Sequence, residues 1–473
     1  MDTRYAIRKS QLLDECQVAP AIFEQVIPRL YTFMEPFVTI FQGQAADQHA
    51  KTYICGLLSD IERKNIESIA YRFGQSRLPL QGFIGWDAWD DEPLRQELRR
   101  QVKTHLGQGD GVLVFDPSGF PKSGRESVGV ARQWCGRLGK VDNCQVAISL
   151  GYVSSKGHTL VDTRLFLPKD WTKDTARLDK AGVPNASRAY RTRHQLALEM
   201  LATHGASLPH GWIAGDDEMG RPSWFRRRLA ALGERYLVAV PSNTAMRDLE
   251  TEPPESNGRG RRPKRPWYSV EAWSQSLADA SWQRIDVRDG SKGPLVVEAV
   301  KRRVVSRTHR RQQGDEETVV VMRYRDRDQQ AVVNGDYYLS NAVPETPLWE
   351  CARVAKAEHR IEECIQRSKS EAGLADYEVR NWTGWQHHQT LSILATWFLV
   401  RETARGKKWT PAMTLPQLRQ GIAMILYEAF QCGTMSHMLK ERQKRLQRNE
   451  LARFYHWKQR KRLAPLNLHK RQF

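Results

Sequence analysis

Two short apolar runs in this chain each end in an aspartate. Residues 112–115 (VLVF) run into Asp116, and residues 212–215 (WIAG) run into Asp216. A carboxylate at the end of a buried strand is costly unless a cation or a capped loop satisfies it. One such aspartate reads as a structural residue held by an arginine. Two in one α/β layer point to a divalent-metal centre, because hard cations are held by one or two carboxylates with water completing the shell. A third carboxylate comes with helical geometry. In EHRIEECIQRSK, residues 358–369, Glu358, Glu362 and Lys369 share one helix face, and Ile361, Cys364 and Ile365 fall on the flank that packs down. Glu363 is turned about 100° from Glu362 and leaves that face, so Glu362 is the acid of the pair that would reach a site together with a lysine. By itself the same face also reads as a lattice of surface ion pairs. Within GDDEMG, Asp216 closes the apolar run, whereas Asp217 and Glu218 read as acids of a turn or a helix N-terminus.

The composition narrows the class of partner. The 473 residues carry 73 Lys and Arg against 54 Asp and Glu, a formal charge of +19. Such an excess points to a polyanion, either nucleic acid or an anionic membrane surface. No stretch approaches the roughly 18–20 uninterrupted apolar residues of a spanning helix, and MDTRYAIRKSQLL lacks a signal peptide's apolar core, so nucleic acid is the favoured partner. With 40% hydrophobic residues and 15 Trp the chain can build cores and is not a disordered protein. The seven cysteines are scattered without a C-x-x-C pair, which predicts a reduced, intracellular protein without structural zinc.

The elements that must position these acids follow from periodicity. Residues 1–107 carry apolar side chains at three- and four-residue spacing and read as a helical N-terminal domain, either DNA-binding or simply a packed bundle. From residue 108 to 240 short strands come first, then helix, strand, helix, strand, which predicts an α/β layer with a mixed sheet. Residues 241–347 open with the basic, Pro/Gly-rich TEPPESNGRGRRPKRP and continue in β-like runs, as an inserted β-rich subdomain would. Residues 348–405 are helical again and 406–473 form a basic helical region. In residues 440–473, 12 Lys and Arg face two Glu, so about half of the chain's net charge lies there and phosphate contact is expected.

Taken together, GVLVFDPSGFPKSGRESVGVARQWCGRLGKVDNCQVAISLGY, LPKDWTKDTARLDKAGVP, WIAGDDEMG and RIEECIQRSKSEAGLADYEVRNWTGWQHHQTLSILATWFL resemble bacterial insertion-sequence transposases. The similarity is to the DDE superfamily, with an RNase H-like catalytic fold, and within it to the cut-and-paste branch with a β-rich insertion before the last acid. It spans roughly residues 30–405. The resemblance places the three catalytic, metal-binding acids on Asp116, Asp216 and Glu362, with Asp116 bridging two metals. It puts a phosphate-contacting lysine on Lys369, while Lys122, Arg125 and Arg132 are further candidates for the DNA backbone. It implies two Mg²⁺ per site, with Mn²⁺ able to substitute, acting by phosphodiester hydrolysis and transesterification. It also implies transposon ends and target duplex DNA as partners, a synaptic homodimer, no membrane, and a cytoplasmic, nucleoid-associated location. Some members of the resembling family stack a flipped base on a tryptophan of the insertion; Trp267, Trp273 and Trp282 lie in that region, and for each of them packing of the subdomain is the favoured reading. This chain departs from the family at several positions. Pro117 and Ser118 replace the usual Glu and Thr, Met219 stands where Tyr is common, and the Tyr and Arg upstream of the glutamate are Ala355 and Glu358, with His359 or Arg360 as substitutes. The rival expectations are a catalytically silent, transposase-derived DNA-binding protein and an RNase H-like nuclease.

Overall fold

A ladder of strands puts the first aspartate at its centre. Val112–Pro121 (β1) pairs along its whole length, antiparallel, with Lys140–Ser154 (β3), from Val112 opposite Val153 to Pro121 opposite Cys144. The far edge of β3 takes Ala131–Cys135 (β2) and then Gly157–Leu165 (β4), both antiparallel. On its other side β1 runs parallel to Trp212–Gly215 (β5), which in turn runs parallel to Tyr236–Ala239 (β6). The four residues of β5 are all buried, the all-apolar signature of a strand covered on both faces. The chain therefore adopts the mixed α/β sheet that its sequence predicts. The structure, a computed structural model, describes residues 19–41, 43–255, 264–288, 295–307, 312–325, 332–410 and 413–430. The basic tail 440–473 and part of the basic loop 251–266 lie outside them.

The β-like runs after residue 241 continue this sheet. Ala245–Asp248 (β7), Tyr268–Ser269 (β8), Gln283–Arg288 (β9), Leu295–Arg307 (β10), Gln313–Arg325 (β11) and Val332–Ser340 (β12) are joined to it because β12 pairs antiparallel with β6, Leu339 opposite Val238. The sheet order is β2-β3-β1-β5-β6-β12-β11-β10-β7-β8, with β4 on β3 and β9 on β10. These strands also enclose an apolar cluster of their own, including Met246, Trp273, Val304, Val319 and Leu339. A buried polar knot ties them to the core: Arg226 donates to Glu317 (2.7 Å) and to Ser306 (2.9 Å), and Tyr236 donates to Glu317 (2.7 Å).

In chain order the described helices are Val26–Val38 (α1), Gln44–Leu58 (α2), Ile66–Arg72 (α3), Arg77–Gly85 (α4), Glu92–Leu106 (α5), Lys169–Thr172 (α6), Thr175–Lys180 (α7), Arg193–His204 (α8), Asp217–Gly220 (α9), Ser223–Ala231 (α10), Val270–Gln275 (α11), Leu348–Glu371 (α12), Trp382–Gly406 (α13) and Leu415–Ala429 (α14). Asn381 caps α13, accepting from the Gly384 amide. Most of α13 is buried, because the N-terminal helices pack on it. Tyr53 shares a hydrogen bond with His388 (2.8 Å), Trp397 donates to Gln101 (3.0 Å), and Arg29 pairs with Glu402 (2.8 Å). A second buried charge cluster fixes this helical layer to the sheet. Asp162 on β4 meets Arg95 of α5 (2.9 Å), His204 of α8 (2.8 Å) and Arg164 (3.3 Å). Those partners hold the Asp162 carboxyl far below the usual carboxylate range despite its complete burial.

Candidate active site

Strand register brings the two aspartates side by side. Val112 lies beside Trp212 and Phe115 beside Gly215 in the parallel β1–β5 pair. The next residue along each chain is therefore Asp116 and Asp216, a hundred residues apart in sequence and adjacent where β5 ends, midway along β1. Asp216 is also the N-cap of the short α9, and its Oδ1 accepts from the Met219 amide at 2.9 Å. Glycines permit the crowding around it. A Cβ on Gly220 would stand 1.8 Å from the Ala239 carbonyl oxygen of β6. Asp217 and Glu218 turn elsewhere, Asp217 to Arg221 (3.1 Å) and Glu218 to Arg193 (2.6 Å).

The long helix α12 crosses this end of the sheet. Ile361 seats in a notch on β3, where a Cβ on Gly151 would come within 2.3 Å of its Cδ1. That contact fixes the rotation of the helix about its axis. Ile361, Cys364, Ile365 and Ser368 face the sheet. At about 100° per residue, Glu358 lies nearer to that buried direction than Glu362 does. Glu362 stands on the outer rim with its side chain 74% exposed, 3.5 Å from His359. Glu358 is partly withdrawn from solvent. Lys369 points inward as well, donating to Ser118 Oγ (2.6 Å) and to the Gly119 carbonyl (3.1 Å), with the Phe120 ring 4.6 Å away. Ser118, one of the departures from the family segment, thus supplies a hydroxyl to the lysine. Glu358 carried no expectation as a site residue. Its place on the Glu362–Lys369 face was the available signal, and its depth depends on a glycine more than two hundred residues upstream.

Electrostatically the cleft is short of positive charge. Burial first, then Asp216 and Glu362, push the Asp116 carboxyl up to about 8. Burial likewise pushes Asp216 up to about 7. It takes Glu358 up to about 8, where Asp216, Asp116 and Asp336 add their repulsion. Lys369 is pushed down to about 8 by burial and by Arg137. Directly across the ladder from Asp116, the buried Ser149 hydroxyl has no hydrogen-bond partner, nor has that of Thr163 opposite Ser149. Unneutralised carboxylates beside an unpartnered hydroxyl suit a hard, hydrated divalent cation. Among the described residues no three His, Cys, Asp or Glu side chains form a ready-made metal-binding group. The acids influence one another electrostatically without forming a tight knot.

The other expected residues are distributed differently. Lys122 donates to the Tyr377 carbonyl (3.0 Å) and sits 3.4 Å above the Tyr377 ring, and burial pushes it down to about 8. It is a packing residue as much as a cation. Arg125 and Arg132 are exposed in and beyond the loop after β1. Of the insertion tryptophans, Trp273 is buried and donates to Asp248 (2.9 Å). Trp267 lies under Arg247 (4.5 Å) and Arg307 (4.6 Å), and Trp282 under Arg323 (4.1 Å).

Comparison with known proteins identifies the family. Residues 36–294 match the family described as DDE superfamily endonuclease. A curated relative, the probable transposase for insertion sequence element IS701 of Microchaete diplosiphon, is 35% identical over 192 residues. That alignment covers 40% of this chain and 47% of the relative, so the chain spans about half the length of the curated protein it matches.

Proposed function

Because the chain belongs to the DDE superfamily of endonucleases, we propose that it is the transposase of a bacterial insertion sequence, cutting duplex DNA at the element's terminal inverted repeats and joining the freed 3′-hydroxyls to target DNA. One observation carries this reading: the register that sets Asp116 beside Asp216 beneath a helix bearing further acids and a lysine. Asp116, Asp216 and Glu362 are the proposed ligands of two Mg²⁺, for which Mn²⁺ substitutes. Bound there, the ions would activate the attacking oxygen and stabilise the leaving one.

The protein's own groups position the DNA. Lys369, braced by Ser118 and Gly119, keeps its ammonium at the cleft floor, where it can meet a phosphate near the scissile bond. Arg125 and Arg132 extend the basic surface outward for the backbone, with Lys122 behind them as a second-rank contact. The proposed division is a helical region over 1–107 that binds DNA ends, a catalytic core over 108–240 and 348–405 that the 241–347 insertion interrupts, and a basic region over 406–473 for phosphate contacts. The working form is a synaptic homodimer on DNA, in the cytoplasm with the nucleoid.

The test is cleavage of a duplex bearing the terminal inverted repeats, with Mg²⁺, by the wild type and by Asp216→Asn. Cutting at the repeat ends by the wild type alone supports the reading. Equal cutting by both proteins, or none on the correct ends, refutes it.

A further inference from the structure

We propose that a basic groove between α12 and the C-terminal end of α13 is a second DNA site, holding the sugar–phosphate backbone of a strand outside the catalytic cleft; this rests on the reading of the chain as an enzyme that acts on DNA. Arg353, Lys356, Arg360 and Arg367 recur along α12 at three-, four- and seven-residue spacing. At about 100° per residue they fall within about 60° of one another, a stripe about 21 Å long. Glu362 and Lys369 lie about 140–160° round the helix from Arg367, with the sheet-packed side of Ile361 and Ser368 between. Two flanks of one helix therefore carry two different surfaces.

The stripe lines a cavity of about 1590 Å³ whose other walls include the β3–β4 turn and the end of α13. Ten Lys and Arg line it against two Glu, an excess that matches a polyanion. Some of these cations brace the floor: Arg29 and Arg405 share Glu402 (2.8 and 3.0 Å), and Arg401 donates to Gln101 (3.1 Å). Others are weakly committed, one on each wall. Lys156 in the β3–β4 turn is exposed and reaches the Gly107 carbonyl at 3.4 Å. Arg367 is 4.0 Å from Glu363. Lys408, just beyond α13, is exposed and makes no side-chain hydrogen bond or ion pair among the described residues. Lysines at a helix C-terminus also complement its dipole, which accounts for Lys407 and Lys408 but not for the α12 stripe or Lys156. The size of the groove points to a polymer. It exceeds the roughly 300–1,000 Å³ of a small-molecule site, and 21 Å of one strand at about 3.4 Å per charge presents about six phosphates. Like charge disfavours the chain's own basic segment 440–473 as the occupant.

The test measures binding of the full chain to a fluorescently labelled duplex of arbitrary sequence, in EDTA, by anisotropy over a series of salt concentrations. The triple variant Lys156→Gln, Arg367→Gln, Lys408→Gln should flatten the dependence of log affinity on log salt by about one per lost contact, about three in all. Arg367→Lys, which keeps the charge, should keep the wild-type slope. A second measurement uses the wild type alone: acetylation of its lysines, read by mass spectrometry. The duplex should protect Lys156, Lys407 and Lys408, whereas inorganic phosphate and polyglutamate at the same charge concentration should not. A wild-type slope in a folded triple variant overturns the proposal, as do lysines left unprotected by the duplex. Equal protection by phosphate or by polyglutamate also overturns it, identifying a small-anion or an acidic-protein site. In each of these cases cleavage at the repeat ends can still stand. Failure of the wild type to bind any duplex overturns the DNA reading of the whole chain as well.

Discussion

Replacing Asp116 by Asn should stabilise the protein in the absence of metal while abolishing cleavage. Asp116 makes no hydrogen bond or ion pair among the described residues, so the amide forfeits no partner. The carboxyl is pushed from 3.8 up to about 8 by burial and by neighbouring acids. A group whose folded pKa lies above its unfolded value binds its proton more tightly in the native state. The penalty is therefore absent below the unfolded value, grows as pH rises through the window between the two, and is complete above the folded value. Four pH units at about 1.4 kcal/mol each set a ceiling of about 6 kcal/mol. Water entering a partly open cleft screens most of that, leaving about 2 kcal/mol. In EDTA at pH 8, Asp116→Asn should melt a few degrees above the wild type by differential scanning fluorimetry; at pH 5 the gap should be smaller, and it should vanish only below the unfolded value of 3.8. Adding Mn²⁺ should raise the melting temperature of the wild type alone. Equal or lower stability of the variant at pH 8, or a gain of the same size at both pH values, would refute the electrostatic reasoning.

Asp162 gives the opposite sign. Its carboxylate is lowered by Arg95, His204 and Arg164, so Asp162→Asn should cost about 3–5 kcal/mol at neutral pH by stranding buried cations, measured as a fall in the denaturation midpoint. That loss should diminish only as pH falls through the acid range. Gly151→Ala places a methyl group against Ile361; it should displace α12, cost about 1–3 kcal/mol, and reduce end cleavage more than a surface substitution of similar size, as followed by thermal melting and a cleavage assay.

The strand acids were legible because an apolar run that stops at a carboxylate is an anomaly within four or five residues. That Asp116 and Asp216 are neighbours was not written locally, since it depends on β1 and β5 pairing in parallel across the intervening hairpin and helices. The face of α12 was legible from its period, but its rotation was not. The wheel placed Glu358, Glu362 and Lys369 together, and only the Gly151 notch on β3 shows that Glu358 sits deepest and Glu362 at the rim. Lys122 looked like a free cation in a basic loop, and its engagement with Tyr377 comes from a residue far along the chain. The β-rich texture after residue 241 was visible, whereas its continuity with the core sheet rests on the single β6–β12 pairing, which no local pattern encodes.

That pairing has a mechanical meaning. β6 takes hydrogen bonds from β5 on one side and from β12 on the other, so the strand next to the one bearing Asp216 is clamped between the core and the insertion. A hinge cannot form there without breaking a ladder. Any rearrangement of the protein must flex at loops and helix ends, with the twelve described strands moving as one plate. Excising residues 241–347 would leave β6 as a bare edge, open to pairing with another chain, so a shortened version of this protein would aggregate before it could be tested for activity.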